Sequence, residues 1–489
     1  MNILFAVSEA APFAKTGGLA DVAGALPGAL ASRGHQVYLF LPFYREVRKL
    51  GTNLNQRLEV SVPLGDIKIN GNILELNDAS PNLKIFFVEK ADFFDRPFLY
   101  GPSGTDYPDN GIRFIFFCRA ILESVRQLNL AIDLYHAHDW QTALLPVYLK
   151  TLYRDQLRTR GASLFTIHNL AYQGLQDKDL LPLTGLGWEE FTLNRLEFFD
   201  RINLLKGGLV YADALSTVSP TYSREILEQE FGCGLEGVLQ QRRNDLFGIL
   251  NGVDYEEWNP AADPYLDDHF HREAMAGKQR CKEKLALDFG LPLDPSWPLI
   301  GMVSRLVEQK GFDLILALLR EVESFAARFI FLGTGNPAIE NNLAELSRRH
   351  PTQIVFSHGY DNRLAHLIEA GADIFMMPSR YEPCGLNQMY SLRYGTVPLV
   401  RAVGGLADSI SGYDPETGAG NGFKFNSYSP GALKDCLQKA LQLYQNQDQW
   451  QKLRDNGMSQ DFSWNHSASE YETLYQKIIT RVQTADPNL

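Results

Sequence analysis

Paired cysteines are missing from this 489-residue chain. The five present, Cys118, Cys233, Cys281, Cys384 and Cys436, are scattered, odd in number and free of any CxxC spacing. That argues against a disulfide framework or a zinc site. Positive charge is also scarce, since 46 Lys and Arg stand against 58 Asp and Glu, for a net charge of −12. No broad basic face is left for nucleic acid or an anionic membrane, so an anionic ligand must be held by a local cluster of cations and backbone amides. Apolar runs long enough to cross a bilayer are lacking, and Met1-Asn2-Ile3-Leu4-Phe5 enters an apolar strand without a basic lead or a cleavage pattern. A cytoplasmic protein is expected; a plastid precursor already trimmed would read the same. Low-complexity segments and short-period repeats are absent as well.

What is present is apolar content of 45%, enough for two or three cores. Short runs rich in Val, Ile, Leu and Phe alternate with helical stretches, as buried parallel strands and their crossover helices do. Six such runs fall in the first half: 2–7, 36–42, 84–89, 133–137, 163–168 and 214–219. Five fall in the second: 299–304, 328–333, 353–357, 374–378 and 397–401. The pattern predicts an α/β protein with two Rossmann-like, doubly wound domains. Turn and acidic residues from Gly248 to about Asp268 mark the linker. The expected division is 1–247, 248–462 and a closing segment 463–489, whose Tyr471, Leu474, Tyr475 and Ile478 fall at helical spacing.

The pentapeptide GGLAD occurs twice, at Gly17–Asp21 and Gly404–Asp408, each time after a strand and at the head of a helix. Glycines there let backbone amides approach an anion at a helix N-terminus. A strand-to-helix turn repeated by chance stays open as the plain alternative. Lys15 precedes the first loop, and Arg305 and Lys310 stand five apart in SRLVEQKG. Such cations suit a diphosphate in an acidic chain. In RYEPCGL, Pro383 and Gly385 set Glu382 on a rigid turn, where a carboxylate can balance positive charge at an anomeric carbon. Cys384, without a neighbouring histidine, reads as a packed thiol. His136, Asp139 and Trp140 in HAHDW, with His168 and Asn169 in TIHNLAYQG, end first-half strands and read as a hydrogen-bonding and stacking surface for sugars rather than a metal site. Gly333-Thr334-Gly335 is a weak dinucleotide hint, because the full GxGxxG spacing is missing.

With KTGGLADV, HAHDW, TIHNLAYQG, NGVD, SRLVEQKG, LGTG, SRYEPCGLNQ and VGGLAD in this order, the chain closely resembles bacterial glycogen synthases and plant starch synthases from Met1 to about Val482. The resemblance implies a GT-B fold with the active site in the cleft between the two domains and a C-terminal helix crossing back to the first. It implies a retaining glycosyltransferase that moves glucose from ADP-glucose to the non-reducing end of an α-1,4-glucan, releasing ADP, with no metal and no other cofactor. By position it assigns Glu382, His168, Arg305 and Lys310 to catalysis. Lys15, Gly18, Asn251, Tyr360, Cys384, Gly385, Leu386, Gly405 and Leu406 fall to the donor, with Tyr360 packing on the base. Glu9, Asp21, Asp139 and Asn169 fall to the acceptor glucan. Many relatives have threonine where this chain has Val403, which leaves the amides of Gly405 and Leu406 to meet phosphate. A UDP-glucose-using synthase and a catalytically idle glucan-binding protein remain open, as does a homo-oligomer. A dehydrogenase would need the missing GxGxxG with its acidic partner.

Overall fold

Runs of β-branched and aromatic residues become strands because their side chains pack on both faces of a pleated sheet. A computed structural model describes residues 1–77, 80–102, 105–159 and 161–485; of the closing segment at 463–489, residues 486–489 lie outside this description. The chain divides into two compact units, Met1–Gly252 with Trp464–Leu489, and Val253–Ser463.

The strands of the first unit are β1 (Asn2–Ala6), β2 (Gln36–Pro42), β3 (Leu54–Leu64), β4 (Ile67–Leu76), β5 (Leu83–Glu89), β6 (Leu134–His138), β7 (Ala162–Ile167), β8 (Leu175–Asp177), β9 (Glu197–Phe198), β10 (Arg201–Asn203), β11 (Ala214–Thr217) and β12 (Leu246–Gly248). Nine of them form one sheet in the order β12-β11-β7-β6-β1-β2-β5-β4-β3, and β8-β10-β9 form a small second sheet. Pairing is parallel from β12 to β5, while β4 runs antiparallel to both β5 and β3. The β3–β4 hairpin was not foreseen, since its apolar residues are interspersed with Asn, Gln, Arg and Glu on a largely exposed surface.

The second unit contains β13 (Leu299–Val303), β14 (Arg328–Gly333), β15 (Ile354–His358), β16 (Ile374–Met377), β17 (Val397–Arg401) and β18 (Phe423–Phe425), all parallel. Their order is β15-β14-β13-β16-β17-β18, which becomes 3-2-1-4-5-6 when counted from β13, the dinucleotide-fold order. Alternate residues feed two separate cores: Ile300, Phe329, Phe331, Ile374 and Met376 enter one, and Leu299, Ile330, Leu332, Phe375 and Met377 the other. Both faces of the sheet are therefore covered, which is why the strands read as continuous apolar runs.

The helix Trp464–Ala485 belongs to the first unit, where it buries Trp464, Tyr471, Leu474, Tyr475 and Ile478. Burial of each such large side chain contributes about 1.5–3 kcal/mol. The polar edge is tied down by Glu472, 2.6 Å from Arg33 and 3.1 Å from His35, and by Arg481, 2.6 Å from Asp245.

Candidate active site

In the second unit the winding direction reverses between β13 and β16, where open α/β sheets bind ligands at their strand C-termini. The loop after β13 supplies exposed Arg305 and then Lys310; the loop after β16 supplies Ser379 and Glu382. Lys310 Nζ lies 2.6 Å from Glu382 Oε2, and Ser379 Oγ donates to the same oxygen at 3.0 Å. Glu382 is only 5% exposed, so its charge depends on these partners. The two loops are stitched together by Arg380 N–H to Gln309 O at 2.8 Å and Gln309 Nε2 to Tyr381 O at 3.3 Å.

A third loop, after β17, supports the second. Gly405 N–H is shared between Glu382 O and Pro383 O, each at 3.2 Å. Gly404 has φ +44°, and a Cβ there would strike Glu382 O; one on Gly405 would strike Cys384 O. Only glycine permits this approach. Asn387 Nδ2 donates to Val303 O at 3.0 Å, anchoring the helix that follows Gly385 and Leu386. Beyond β15, the Tyr360 ring is 68% exposed, with its hydroxyl 2.9 Å from Asn362 Oδ1.

In the first unit the reversal falls between β1 and β6, and Glu9 and Asp139 follow those two strands. Buried Glu9 accepts hydrogen bonds from Thr16 N–H at 2.5 Å, Thr16 Oγ1 at 2.6 Å and Gly17 N–H at 3.2 Å, and it lies 2.7 Å from the Tyr100 hydroxyl. Burial pushes its carboxyl above the usual range, against the pull of those hydrogen bonds. Exposed Gly18 heads the fifteen-residue helix Gly18–Ser32, and Lys15 Nζ pairs with Asp21 at 2.5 Å. Asp139 has φ +54°, a left-handed conformation that Asp tolerates at a cost of about 1–2 kcal/mol. The turn brings Asp139 Oδ1 to His168 N–H at 2.8 Å, and desolvation raises its pKa to about 7. His168 Nε2 lies 3.0 Å from His138 Nδ1, and burial lowers the His168 pKa to about 3. Asn169 Oδ1 accepts from Ala171 N–H at 3.1 Å.

A family model described as the starch synthase catalytic domain matches residues 2–241, and one described as glycosyl transferases group 1 matches residues 285–457. The glycogen synthase of Koribacter versatilis is 47% identical over 483 residues, covering 98% of each chain. That of Anaeromyxobacter dehalogenans is 46% identical over 98% of this chain and all of its own. The chain belongs to the glycogen synthase family. Like the family at large, this glycogen synthase relative is a glycosyltransferase. Its fold matches the catalytic domain of starch synthase IV from Arabidopsis thaliana, solved with ADP and acarbose, at TM-score 0.89 and 32% identity, over 98% of this chain and 99% of that one. Sucrose-phosphate synthase from Thermosynechococcus elongatus, at TM-score 0.60 and 16% identity, shares the fold over 98% of this chain and 99% of that one.

Several expectations change in this family member. The Gly405 and Leu406 amides are not held in reserve for phosphate, because Gly405 N–H bonds to Glu382 and Pro383, and Leu406 N–H donates to Val403 O at 3.0 Å. Glu9, placed on the acceptor side by the resemblance, is a buried brace for the glycine loop. His136 is wholly buried between Tyr475 and Thr166, and Trp140 is 7% exposed with its ring edge-on to Phe114, so neither forms a sugar platform. The Gly335 amide is taken by Glu340 Oε1 at 2.7 Å, which closes the dinucleotide hint. Cys384 is a packed, buried thiol. Among the described residues no group of three or more His, Cys, Asp or Glu could hold a metal, and no helix is long and apolar enough to cross a membrane. Sequence reasoning missed Ser379, which its place two residues past β16 could have signalled. It also missed Tyr100, which lies 91 positions from its partner Glu9 and carries no local signal.

Proposed function

We propose that the chain transfers glucose from ADP-glucose to the non-reducing end of an α-1,4-glucan with retention of configuration. The observation that carries this reading is the pairing of half-buried Lys310 with buried Glu382 at the switch point of the second unit. Cleavage of the anomeric C–O bond sends its electron pair to the departing diphosphate and leaves oxocarbenium character on the sugar. Lys310 has three N–H donors; with one on Glu382, the others serve the diphosphate together with Arg305. Glu382, on the sugar side, offsets the developing positive charge. Its carboxylate is engaged by Lys310 and Ser379, which makes it a poor covalent nucleophile. The acceptor hydroxyl therefore attacks the face that the diphosphate leaves, and its proton passes to the departing phosphate oxygen. The products are ADP and a glucan one α-linked residue longer.

The remaining roles follow by position. Gly18 and Lys15 meet the donor from a helix head, and the Tyr360 ring offers the base an exposed face. Asn251 Oδ1 is buried without a hydrogen-bond partner among the described residues, as a ligand-facing amide would be. Cys384, Gly385 and Leu386 shape the wall around the sugar, which His168 also meets. Asp21, Asp139 and Asn169 are assigned to the glucan side. The ADP in the starch synthase IV structure supports an adenine donor. Incubation with glycogen and labelled ADP-glucose or UDP-glucose tests the proposal: label should enter polymer from ADP-glucose with the higher kcat/KM, in α-linkage by NMR. A preference for UDP-glucose overturns the donor, a β-linkage overturns the reaction class, and no incorporation from either donor leaves a glucan-binding protein.

A further inference from the structure

Three imidazoles line up at the C-terminal ends of β6 and β7, and the proposed chemistry uses only one. His136 and His138 point to the same face of β6, two residues apart, with ring centroids 4.0 Å apart. Both have zero exposure, whereas His168 keeps 9%, so only His168 can meet a ligand. His136 is fully engaged: Nδ1 is 2.9 Å from the Tyr475 hydroxyl and Nε2 is 2.6 Å from Thr166 Oγ1. His138 packs against both that ring and Phe5, the latter stacked at 5.5 Å, while its backbone N–H donates to Thr142 Oγ1 at 2.6 Å. Among the described residues its ring shares one hydrogen bond, between Nδ1 and His168 Nε2 at 3.0 Å, and its Nε2 is buried with no partner.

We infer that His138 is a positioning residue that donates its Nδ1–H to His168 Nε2 and thereby fixes the His168 proton on Nδ1. Two neutral rings joined by one N···N hydrogen bond have two arrangements. If His168 were the donor, His138 would carry its proton on Nε2, leaving a buried N–H without an acceptor. If His138 is the donor, its Nε2 keeps only an unshared lone pair. Orphaned N–H groups are the rarer and costlier of these defects, so the second arrangement holds. A third, with either ring charged, is disfavoured by burial, which holds both imidazoles well below their usual range. His168 therefore presents a fixed, neutral Nδ1–H donor. Resting on the proposed contact of His168 with the transferred sugar, this makes it a hydrogen-bond donor to a sugar oxygen and not a proton-transfer group at neutral pH.

Long-range proton–nitrogen NMR of the full chain labelled with 15N-histidine reads the tautomer directly, with His168 assigned through His168→Asn. An Nδ1–H tautomer is expected; an Nε2–H tautomer or a charged ring at pH 7 overturns the inference. His138→Asn keeps an amide N–H close to the Nδ1 position and should preserve both the tautomer and kcat to within about threefold. His138→Leu removes the donor and should lower kcat by about tenfold or more with little change in donor KM, the loss expected of one oriented hydrogen bond. Equal impairment of the Asn and Leu variants, with melting temperatures like the parent's, also overturns it. Should the Leu variant fail to fold, the parent spectrum and His138→Asn still decide. Full activity in His168→Asn would instead remove His168 from the proposed reaction while leaving the tautomer result standing.

Discussion

The two units carry the same pentapeptide on the same kind of sheet edge and use it in opposite ways. In the first, the loop before Gly18 is exposed and braced from beneath by Glu9, whose oxygens take the amides of Thr16 and Gly17. In the second, Gly404 and Gly405 are buried, and they serve the backbone of Glu382 to Cys384, which passes too close for any side chain. Glu9 holds a glycine loop through its carboxylate; Glu382 is held by one through its backbone carbonyl. A short motif thus reports the geometry of a strand-to-helix turn, while the neighbours decide whether its amides remain for a ligand. The ionic content differs as well: the second unit places a compact cation–carboxylate pair at its switch point, and the first places neutral imidazoles beside Asp139.

The largest effect should come from breaking the pair in the second unit. Glu382→Gln keeps the shape, removes the charge and should lower kcat by about a hundredfold or more. Lys310→Ala should cut kcat/KM by about ten- to hundredfold, and the double variant should lose less than the product of the two, because residues 2.6 Å apart share one interaction. Steady-state kinetics on the three variants checks this; strictly multiplicative losses would mean that the two act separately.

An intermediate effect is expected from the carboxylate of the first unit. Glu9→Gln weakens several hydrogen bonds at once without touching the chemistry, and should destabilise the loop by about 1–3 kcal/mol. Hydrogen exchange at the Thr16 and Gly17 amides should quicken, with kcat/KM falling by about tenfold or less. Unchanged exchange at both amides would deny Glu9 its bracing role.

The smallest effect sits away from both switch points. Glu369 is buried in the second unit, with Oε2 2.7 Å from Ser391 Oγ, and desolvation raises its pKa to about 8. Nearby Lys278, buried and donating to Ala370 O and Thr396 Oγ1, is lowered to about 7. A carboxyl raised on folding binds its proton more tightly in the native state. Its stabilising contribution is therefore complete below the unfolded value of about 4.3 and is lost as pH rises toward about 8. Glu369→Gln removes that dependence, so its melting temperature should gain on the parent's by a few degrees between pH 5 and pH 8, with kcat unaltered. A pH-independent difference in Tm would show that Glu369 does not titrate in this window.

Much of the scaffold is legible without coordinates. The eleven strands anticipated from apolar runs all form, because a strand covered on both faces must be apolar at nearly every position. The motif residues Arg305, Lys310, Glu382, Asp139 and His168 come to strand C-termini because each follows its strand by a few residues, and chain connectivity alone puts them there. The β3–β4 hairpin escaped because a sheet margin open to solvent carries no such signature.

Pairing is what the sequence could not contain. Lys310 and Glu382 are 72 residues apart, Glu9 and Tyr100 are 91, and His136 and Tyr475 are 339. No local rule links such positions; sheet order and the return of the C-terminal helix bring them together. Whether an amide is free, a tryptophan exposed or a histidine neutral depends on burial and on partners contributed by distant segments. Composition and periodicity determined the strands buried on both faces and where their ends fall. Only the tertiary structure decided that the second GGLAD supports the loop carrying Glu382, that Glu9 faces inward, and that His168 has another imidazole behind it, since these follow from which backbones pack against which.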